Sequence, residues 1–584
     1  MLLLIECCLA GIAVAFALTM PRLAARSFEK SEHVLGQLAQ RKGLAVIAVG
    51  LLTLVLRAAL LPILPIPEPV VHDEFGYLLA GETYAHGRLT NPSHPMWEHF
   101  ETFSIIQKPT YQCYAQPAQG MILATGKILL GHPFWGVWLS AGLMCAAICW
   151  MLQGWLEPEW ALLGGFLAVL RFGTLSYWAN SYWGGTAGAI GGALVLGALP
   201  RIKRSQRIRD AVAMALGLAI LANSRPYEVF IFSLPIAAAL FAWMLGKKHP
   251  PFAISLRRVV APICLLLAIT VAGMSYYFWR VTGNPFKVPY QIEREAYAIA
   301  PYFLWQSPHA EPAYHHAVIR KMYEEDYTIA YAFAHSRMGL LFMPIYKVAK
   351  IWMFLIGPVL SLPIAMMLFI LPYNFSWRQI SPATRFLLLA LSFFCIGLSA
   401  EFYFEPHYAA PLAGLMVALI MIAMRKLRRW RPEQGSGRFL ARAIPVICVL
   451  MFVLRILAGP LHIPVGRVLT PAWYQLGPKD FGRAAMLADL QRLPGNQLVI
   501  VRYQPDHNPF AEWVYNEANI DNAKVVWAHD MSPVENQELI SYFHDRRVWL
   551  MDADEEPTHL ILYANTEVPI EQFLVEAHEQ RRTH

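Results

Sequence analysis

Apolar runs long enough to cross a lipid bilayer follow one another from Leu2 to Gly459, and they leave the chain few folds to choose from. Only a helix or a closed barrel satisfies its own backbone hydrogen bonds without water, and a helix needs roughly 20 apolar residues to cross the hydrocarbon. About twelve runs qualify, over 2–20, 44–66, 134–155, 159–178, 185–200, 211–224, 227–246, 259–280, 345–372, 386–403, 407–424 and 443–459. The stretch 117–130 is too short to cross and reads as re-entrant or interfacial. Composition agrees: 56% of the 584 residues are hydrophobic and 15% are charged, against about a quarter charged in soluble domains. The predicted fold is therefore a polytopic α-helical membrane protein. No basic residue precedes the first run, and Arg22 and Arg26 follow it, so it reads as an uncleaved span with its N-terminus outside.

The basic residues set the orientation. Arg22, Arg26, Lys30, Arg41 and Lys42 lie on one side. Alternating spans bring Arg201, Lys203, Arg204, Arg207, Arg209, Lys247, Lys248, Arg257, Arg258 and the cluster Arg425 to Arg431 to the same side, which is cytoplasmic by the positive-inside rule. That asymmetry accounts for the net charge of +8 and implies no nucleic-acid partner. The opposite side receives the loop 67–116, the aromatic turn 177–183, the long loop 281–344 and the C-terminal tail. Of the eight cysteines only Cys113 stands in a loop, so there is neither a disulfide framework nor a zinc spacing.

After about residue 460 the composition changes. β-rich runs at Leu498–Val501, Lys524–Trp527, Arg547–Met551 and His559–Tyr563 alternate with helical patterns such as Pro478–Leu493, which predicts a small α/β domain over 461–584 on a parallel or mixed sheet. Polar clusters follow three of the strands, at Asp506-His507, His529-Asp530 and Asp552 with Asp554; they read first as solvated turns, although ligands do bind beyond strand ends in such sheets.

The residues that carry chemistry cluster just after the second span, at Val71-His72-Asp73-Glu74-Phe75-Gly76-Tyr77. A carboxylate at a water-facing membrane surface is ionised and can accept a proton, although an acidic pair also suits the first turn of a helix, where the dipole favours negative charge. The apolar spacing Phe75, Leu78, Leu79, Tyr84 predicts a helix lying along the interface. Lys108, in Gln107-Lys108-Pro109, suits an anionic phosphate or a lipid headgroup. Arg57, Arg171, Arg225 and Glu228 fall within or beside spans, where a charge is costly unless it faces a cavity or a partner. Arg225 is read as a phosphate contact, or as one half of a structural pair in which Glu228 meets Arg225 or Arg171. His72 could tune Asp73, join it on a metal, or simply occupy the loop. No cofactor is required by these residues; a divalent metal could be held there, but the sequence offers no three-ligand spacing for one. The Tyr-Trp run 177–183 reads as an aromatic belt in preference to a sugar platform. The loop 281–344, with Tyr290, His309, His315, His316 and Glu324-Glu325, is long enough to cover a cleft.

An outward Asp-Glu on a juxtamembrane helix, then Lys-Pro, then a Pro/Gly-marked short helix (Ala115-Gln116-Pro117-Ala118-Gln119-Gly120), resembles the GT-C glycosyltransferase superfamily, in particular the family-39 mannosyltransferases and the lipid A aminoarabinose transferases. The resemblance covers roughly residues 44–424 and implies a GT-C-like transmembrane domain over 1–460, with the C-terminal domain matched to no known module. It implies an integral-membrane enzyme that moves a sugar, with inversion, from a polyprenyl-phosphate donor to a lipid, glycan or protein acceptor. The setting implied is the outer, periplasmic face of a bacterial inner membrane. Asp73 maps to the catalytic base, with Glu74 positioning it or a substrate hydroxyl, and Lys108 to the contact with the donor phosphate. The family's Arg-Tyr-x-x-Pro at the outer end of a late span stands here as His407-Tyr408-Ala409-Ala410-Pro411, so the arginine is replaced by histidine, and Arg225 or a protonated His407 would have to supply the charge. A transporter or flippase of lipid-linked sugars shares many spans and intramembrane charges, but it tends to carry inverted repeats, which are not evident here, and midplane charges. A scaffold that recruits a partner through the C-terminal domain is the third reading.

Overall fold

In the computed structural model, residues 1–246, 251–370, 376–466, 473, 482–555 and 557–563 are described; Lys247 and Lys248, the start of the predicted helix 478–493 and the end of the run 345–372 lie outside them. The chain is a mostly helical, multi-pass membrane protein. It begins with α1 (Leu2–Thr19), α2 (Ala25–Gln40), α3 (Lys42–Ala59) and α4 (His72–Ala85). A small sheet of β1 (Asn91–Pro92), β2 (Ile105–Ile106) and β3 (Thr110–Cys113) follows, paired antiparallel in the order β1-β3-β2. Then come α5 (Pro117–Leu130), α6 (Phe134–Trp155), α7 (Pro158–Ala168), α8 (Thr186–Ser205), α9 (Ile208–Ala222) and α10 (Pro226–Met244).

Among the described residues, eight helices are long and apolar enough to cross a membrane: α1, α3, α6, α10, Phe252–Thr282, Arg337–Leu355, Pro406–Leu427 and Ser436–Ile456. Gly357–Ile370 and Pro382–Leu398 are shorter apolar helices. Several of the expected spans are therefore revised. The run 159–178 becomes the 11-residue α7 and a π-helical turn at Val169–Gly173, and 211–224 becomes the 15-residue α9. The run 345–372 is broken between Leu355 and Gly357 into two helices. Hydropathy over a window does not see such breaks, because the residues on both sides of them are equally apolar. The helix Pro406–Leu427 is buried along almost its whole length and runs through the centre of the bundle, whereas Phe252–Thr282 faces outward nearly throughout.

Ion pairs gather the basic loops at one end. Glu32 on α2 receives Arg428 at 2.9 Å and Arg442 at 3.0 Å, and Glu157, just before α7, receives Arg425 at 2.7 Å. At the other end, α4, the small sheet, the loop 281–344 and the C-terminal region pack together.

The C-terminal strands are β4 (Asn496–Arg502), β5 (Val525–His529), β6 (Arg546–Asp552) and β7 (Leu560–Leu562), in the order β5-β4-β6-β7. β4 is parallel to β5 and β6, and β6 is antiparallel to β7, so the sheet is mixed. Helices Arg483–Arg492 and Pro533–Tyr542 accompany it. The polar clusters beyond the strands pair with one another: Arg502 with Asp530 at 2.6 Å, and His507 with Asp554 at 2.6 Å.

α4, expected from its spacing to lie along the interface, is packed on all but one side. Phe75, Leu79 and Glu82 lie one turn apart and meet the C-terminal region. The Phe75 ring stacks on Tyr515 at 3.9 Å, Leu79 joins Leu498 and Ile500 in one core, and Glu82 accepts from the Ala518 amide at 3.1 Å. Gly76 faces the β2–β3 hairpin so closely that a Cβ there would stand 2.8 Å from the Ser104 carbonyl oxygen. Gly81 faces Leu123 on α5 with equally little room. This leaves the face carrying Asp73 and Tyr77.

Candidate active site

Asp73 enters from the first turn of α4 and is half-buried. Three donors converge on its carboxylate. Ser104 Oγ at 2.7 Å and Tyr114 OH at 3.0 Å bond Oδ1, and the Trp183 indole Nε1–H bonds Oδ2 at 2.7 Å. A carboxylate offers about four lone pairs, so the second lone pair of Oδ2 is left to take a proton. The three donors come from separate segments, and each is held in place. Ser104 adopts φ 64°, a left-handed conformation rare for serine, and its carbonyl accepts the Tyr114 amide at 3.1 Å. Trp183 closes the aromatic run, and Gly184 and Gly185 follow it at φ 98° and 116°; a Cβ at 185 would lie 2.4 Å from the Trp178 ring.

The aromatic run is therefore not a belt at the lipid boundary. Tyr177, Trp178, Tyr182 and Trp183 are all buried, and the run forms a wall of the site. Its partner Glu74 has a structural task. Glu74 Oε2 accepts the Val70 and Val71 amides at 3.0 Å each, and Oε1 accepts the Tyr182 amide at 2.8 Å. Burial pushes its pKa up while those amides oppose the shift. Glu74 is thus a tie between the start of α4 and the aromatic wall, and it is not presented beside Asp73 as a second reactive carboxylate.

His72 also turns away. Its ring lies between Phe103 at 4.5 Å and Phe510 at 5.4 Å, and Nε2 donates to the Pro509 carbonyl at 2.9 Å. Burial lowers its pKa. The expected substrate-binding role is replaced by a clasp between α4 and the C-terminal region. Lys108 stands exposed on the turn joining β2 and β3, with its ammonium 3.8 Å above the Trp97 ring, and makes no contact with the group around Asp73.

Positive charge reaches the site through Arg225, the N-cap residue of α10. Nη1 meets Glu228 at 3.3 Å and Nη2 meets His407 Nε2 at 2.9 Å, while the guanidinium lies 3.5 Å above the Tyr408 ring. The pair with Glu228 is therefore formed, and the same guanidinium stands against His407 and Tyr408; Arg171 instead donates to the Phe354 carbonyl at 2.9 Å. An arginine can only donate, so His407 Nε2 must accept, and its proton sits on Nδ1, which donates to Tyr177 OH at 3.0 Å. His407 is consequently neutral, and the cation beside it is Arg225, from the start of α10. The Trp183 ring lies 5.0 Å from His407 and so joins the Asp73 side to the Arg225 side.

Two further groups belong to this constellation and escaped sequence reasoning. Lys350, on the helix Arg337–Leu355, meets Glu405 Oε1 at 3.2 Å, two residues before His407. Burial pushes the Glu405 carboxyl up to about 7; Lys350 opposes that shift and the charge of Asp73 adds to it. The sequence places Lys350 inside an apolar run, and only the fold brings it to the motif. The loop 281–344 docks on both sides of the site. Phe303 pairs as an antiparallel bridge with Glu401, while Glu101 receives His315 at 2.7 Å and the Tyr297 hydroxyl at 2.7 Å. Among the described residues, no group of three or more His, Cys, Asp or Glu side chains is placed to hold a metal ion.

No protein-family model matches the chain, and no curated protein matches it in sequence. Among solved structures the chain is similar to ArnT from Cupriavidus metallidurans bound to undecaprenyl phosphate, at 13% identity over 87% of this chain and 92% of that one, with a TM-score of 0.45. It is also similar to the oligosaccharyltransferase AglB from Archaeoglobus fulgidus in complex with an inhibitory peptide and a dolichol-phosphate, at 12% identity over 87% of this chain and 69% of that one, with a TM-score of 0.43. Both neighbours belong to the GT-C superfamily.

Proposed function

We propose that the protein is an integral-membrane glycosyltransferase that moves a sugar from a polyprenyl-phosphate donor to an acceptor hydroxyl on the extracytoplasmic side, with inversion. The observation that carries this reading is a carboxylate held by three donors, with one lone pair open, in the same constellation as a guanidinium. The basic loops, which gather at the opposite end of the bundle, support that side. Asp73 Oδ2 takes the proton of the acceptor hydroxyl, whose oxygen attacks the anomeric carbon as the lipid phosphate leaves. A single displacement of this kind inverts the anomeric centre. Arg225 commits two of its five N–H groups to Glu228 and His407, which fixes its plane and leaves the others for the phosphate. A fixed cation at the atom where charge develops stabilises the transition state more than the ground state. Glu74, His72 and Lys108 act outside this step: the first two hold α4, and the third is engaged with Trp97.

The test is transfer from a labelled polyprenyl-phosphate sugar by purified protein in vesicles. A general base is worth roughly 10²–10⁴ in rate, so Asp73→Asn should lose transfer by about that factor while unfolding at the wild-type temperature. Wild-type turnover by a folded Asp73→Asn protein would remove the assignment.

A further inference from the structure

Two cations in the site, Arg225 and Lys350, face four carboxyl groups, Asp73, Glu228, Glu401 and Glu405. Each cation is already paired, Arg225 with Glu228 at 3.3 Å and Lys350 with Glu405 at 3.2 Å. A phosphodiester entering such a group adds a further negative charge to a site with no unpaired cation among these residues. In a poorly solvated place that charge is accommodated most readily by protonating one carboxylate.

Glu401 has both carboxyl oxygens buried without a hydrogen-bond partner, and burial together with the charge of Glu228 holds its carboxyl well above the usual range before any anion arrives, which leaves the other three. Glu228 is only 2% exposed and lies against the guanidinium, and Asp73 is held by three donors. Glu405 has a single ion-pair contact, through Oε1, while its Oε2 is buried without a hydrogen-bond partner. A buried acceptor with no donor is costly as a carboxylate oxygen, whereas as a hydroxyl it can donate. The groups that act on Glu405 come from each neighbouring element: Lys350 from the helix Arg337–Leu355, Asp73 from α4, Arg225 from the start of α10, Tyr177 from the aromatic wall, and His407 with Tyr408 from its own segment. Its carboxyl is already pushed up to about 7 before any anion binds.

We propose that Glu405 binds the donor phosphate in its protonated form, so that capture of a lipid phosphodiester draws one proton from solvent into the site. The inference rests on the reading of the donor as a lipid-linked phosphate. The carboxyl O–H donates to a non-bridging phosphate oxygen, and Lys350, relieved of its ionised partner, turns its charge to the same anion. When the bond from the anomeric carbon to the phosphate oxygen breaks, the departing monoester gains a second negative charge. The Glu405 proton passes to it, and Glu405 pairs with Lys350 again. The acceptor's proton is then on Asp73 and returns to solvent, so protons balance over the cycle.

The experiment uses full-length protein in detergent and a polyprenyl methyl phosphodiester, whose phosphate keeps one charge from pH about 6 to about 9. Calorimetry in two buffers of different ionisation enthalpy counts the protons taken up. The wild type is expected to take up about one proton per ligand above neutral pH, with Kd rising roughly tenfold per pH unit there and level below. Glu405→Gln, which donates at every pH, is expected to bind with level affinity and no proton uptake. Wild-type binding without proton uptake overturns the inference, as does a Glu405→Gln protein that keeps the wild-type slope. The wild-type proton count stands without the variant, should the variant fold poorly. Absence of diester binding at any pH would overturn the donor reading itself.

Discussion

Trp183 and His407 connect the two sides of the site. Trp183 contributes one N–H to the carboxylate and a ring against His407. Trp183→Phe keeps the ring and removes the donor; a hydrogen bond to a charged group is worth about 1.5–3 kcal/mol, so turnover is expected to fall roughly 10- to 100-fold. His407 makes the opposite demand, because it must accept from Arg225 and donate to Tyr177. His407→Arg, although it restores the motif of the resembling families, sets two guanidiniums against each other and is expected to raise the KM for donor about tenfold or more. His407→Gln, which can both accept and donate, should stay near wild type, and both are read from donor titrations. Asp73 and Arg225 were legible in the sequence because charges beside spans are rare enough to stand out. Trp183 was not, since aromatic residues are common at membrane boundaries for reasons unrelated to a site. His72 and Glu74 adjoin Asp73 in sequence but face elsewhere, because consecutive residues on a helix point about 100° apart.

At the scale of elements, α4 decides the geometry of the site. Its sides meet the hairpin, α5 and the C-terminal sheet, and the remaining one presents Asp73. Such a helix carries no single apolar stripe, which is why the periodicity suggested an interfacial position. The strands of the C-terminal sheet, by contrast, were legible to within two or three residues, because short β-rich runs between turn residues are a local signal. How that sheet docks was not legible, because the contacts join residues over 400 positions apart. Three histidines in those contacts are neutral by burial. His72 lies under Phe510, and His316 stacks on His529 at 4.0 Å, while burial pushes the pKa of His529 down to about 3 and those of His72 and His316 down as well. Groups with folded pKa values below their unfolded ones stabilise docking above about 6.5, and that stabilisation is lost as pH falls toward the folded values. Hydrogen exchange in β4, β5 and the loop 97–103 is expected to quicken below about pH 6 by roughly tenfold per pH unit for each histidine that gains a proton on opening, after correction for intrinsic exchange rates.

For the whole molecule, the C-terminal region completes the core under α4. Truncation after residue 461 exposes Phe75 and Leu79 together with the cut side of the cluster that holds Leu498, Ile500 and Tyr515. The truncated protein should still insert, since the spans are intact, but transfer should fall at least 100-fold, near the loss for Asp73→Asn, as measured in the same vesicle assay. A truncated protein with full activity would mean that α4 holds Asp73 without the sheet. The membrane part was legible as a class because bilayer thickness fixes the length of a span. The number of crossings was less so, because α7 and the break after Leu355 are set by packing partners that hydropathy does not register.

The first helix has a bearing on how the protein is made. Glu6 accepts the amide of Val359 at 2.9 Å, and α1 lies beside both Gly357–Ile370 and Ser436–Ile456. At roughly 5–20 residues per second, a ribosome reaches Val359 on the order of half a minute after Glu6. Through that interval the leading segment waits in the lipid for a neighbour not yet synthesised. Packing of α1 against those two helices is therefore among the last events of biogenesis.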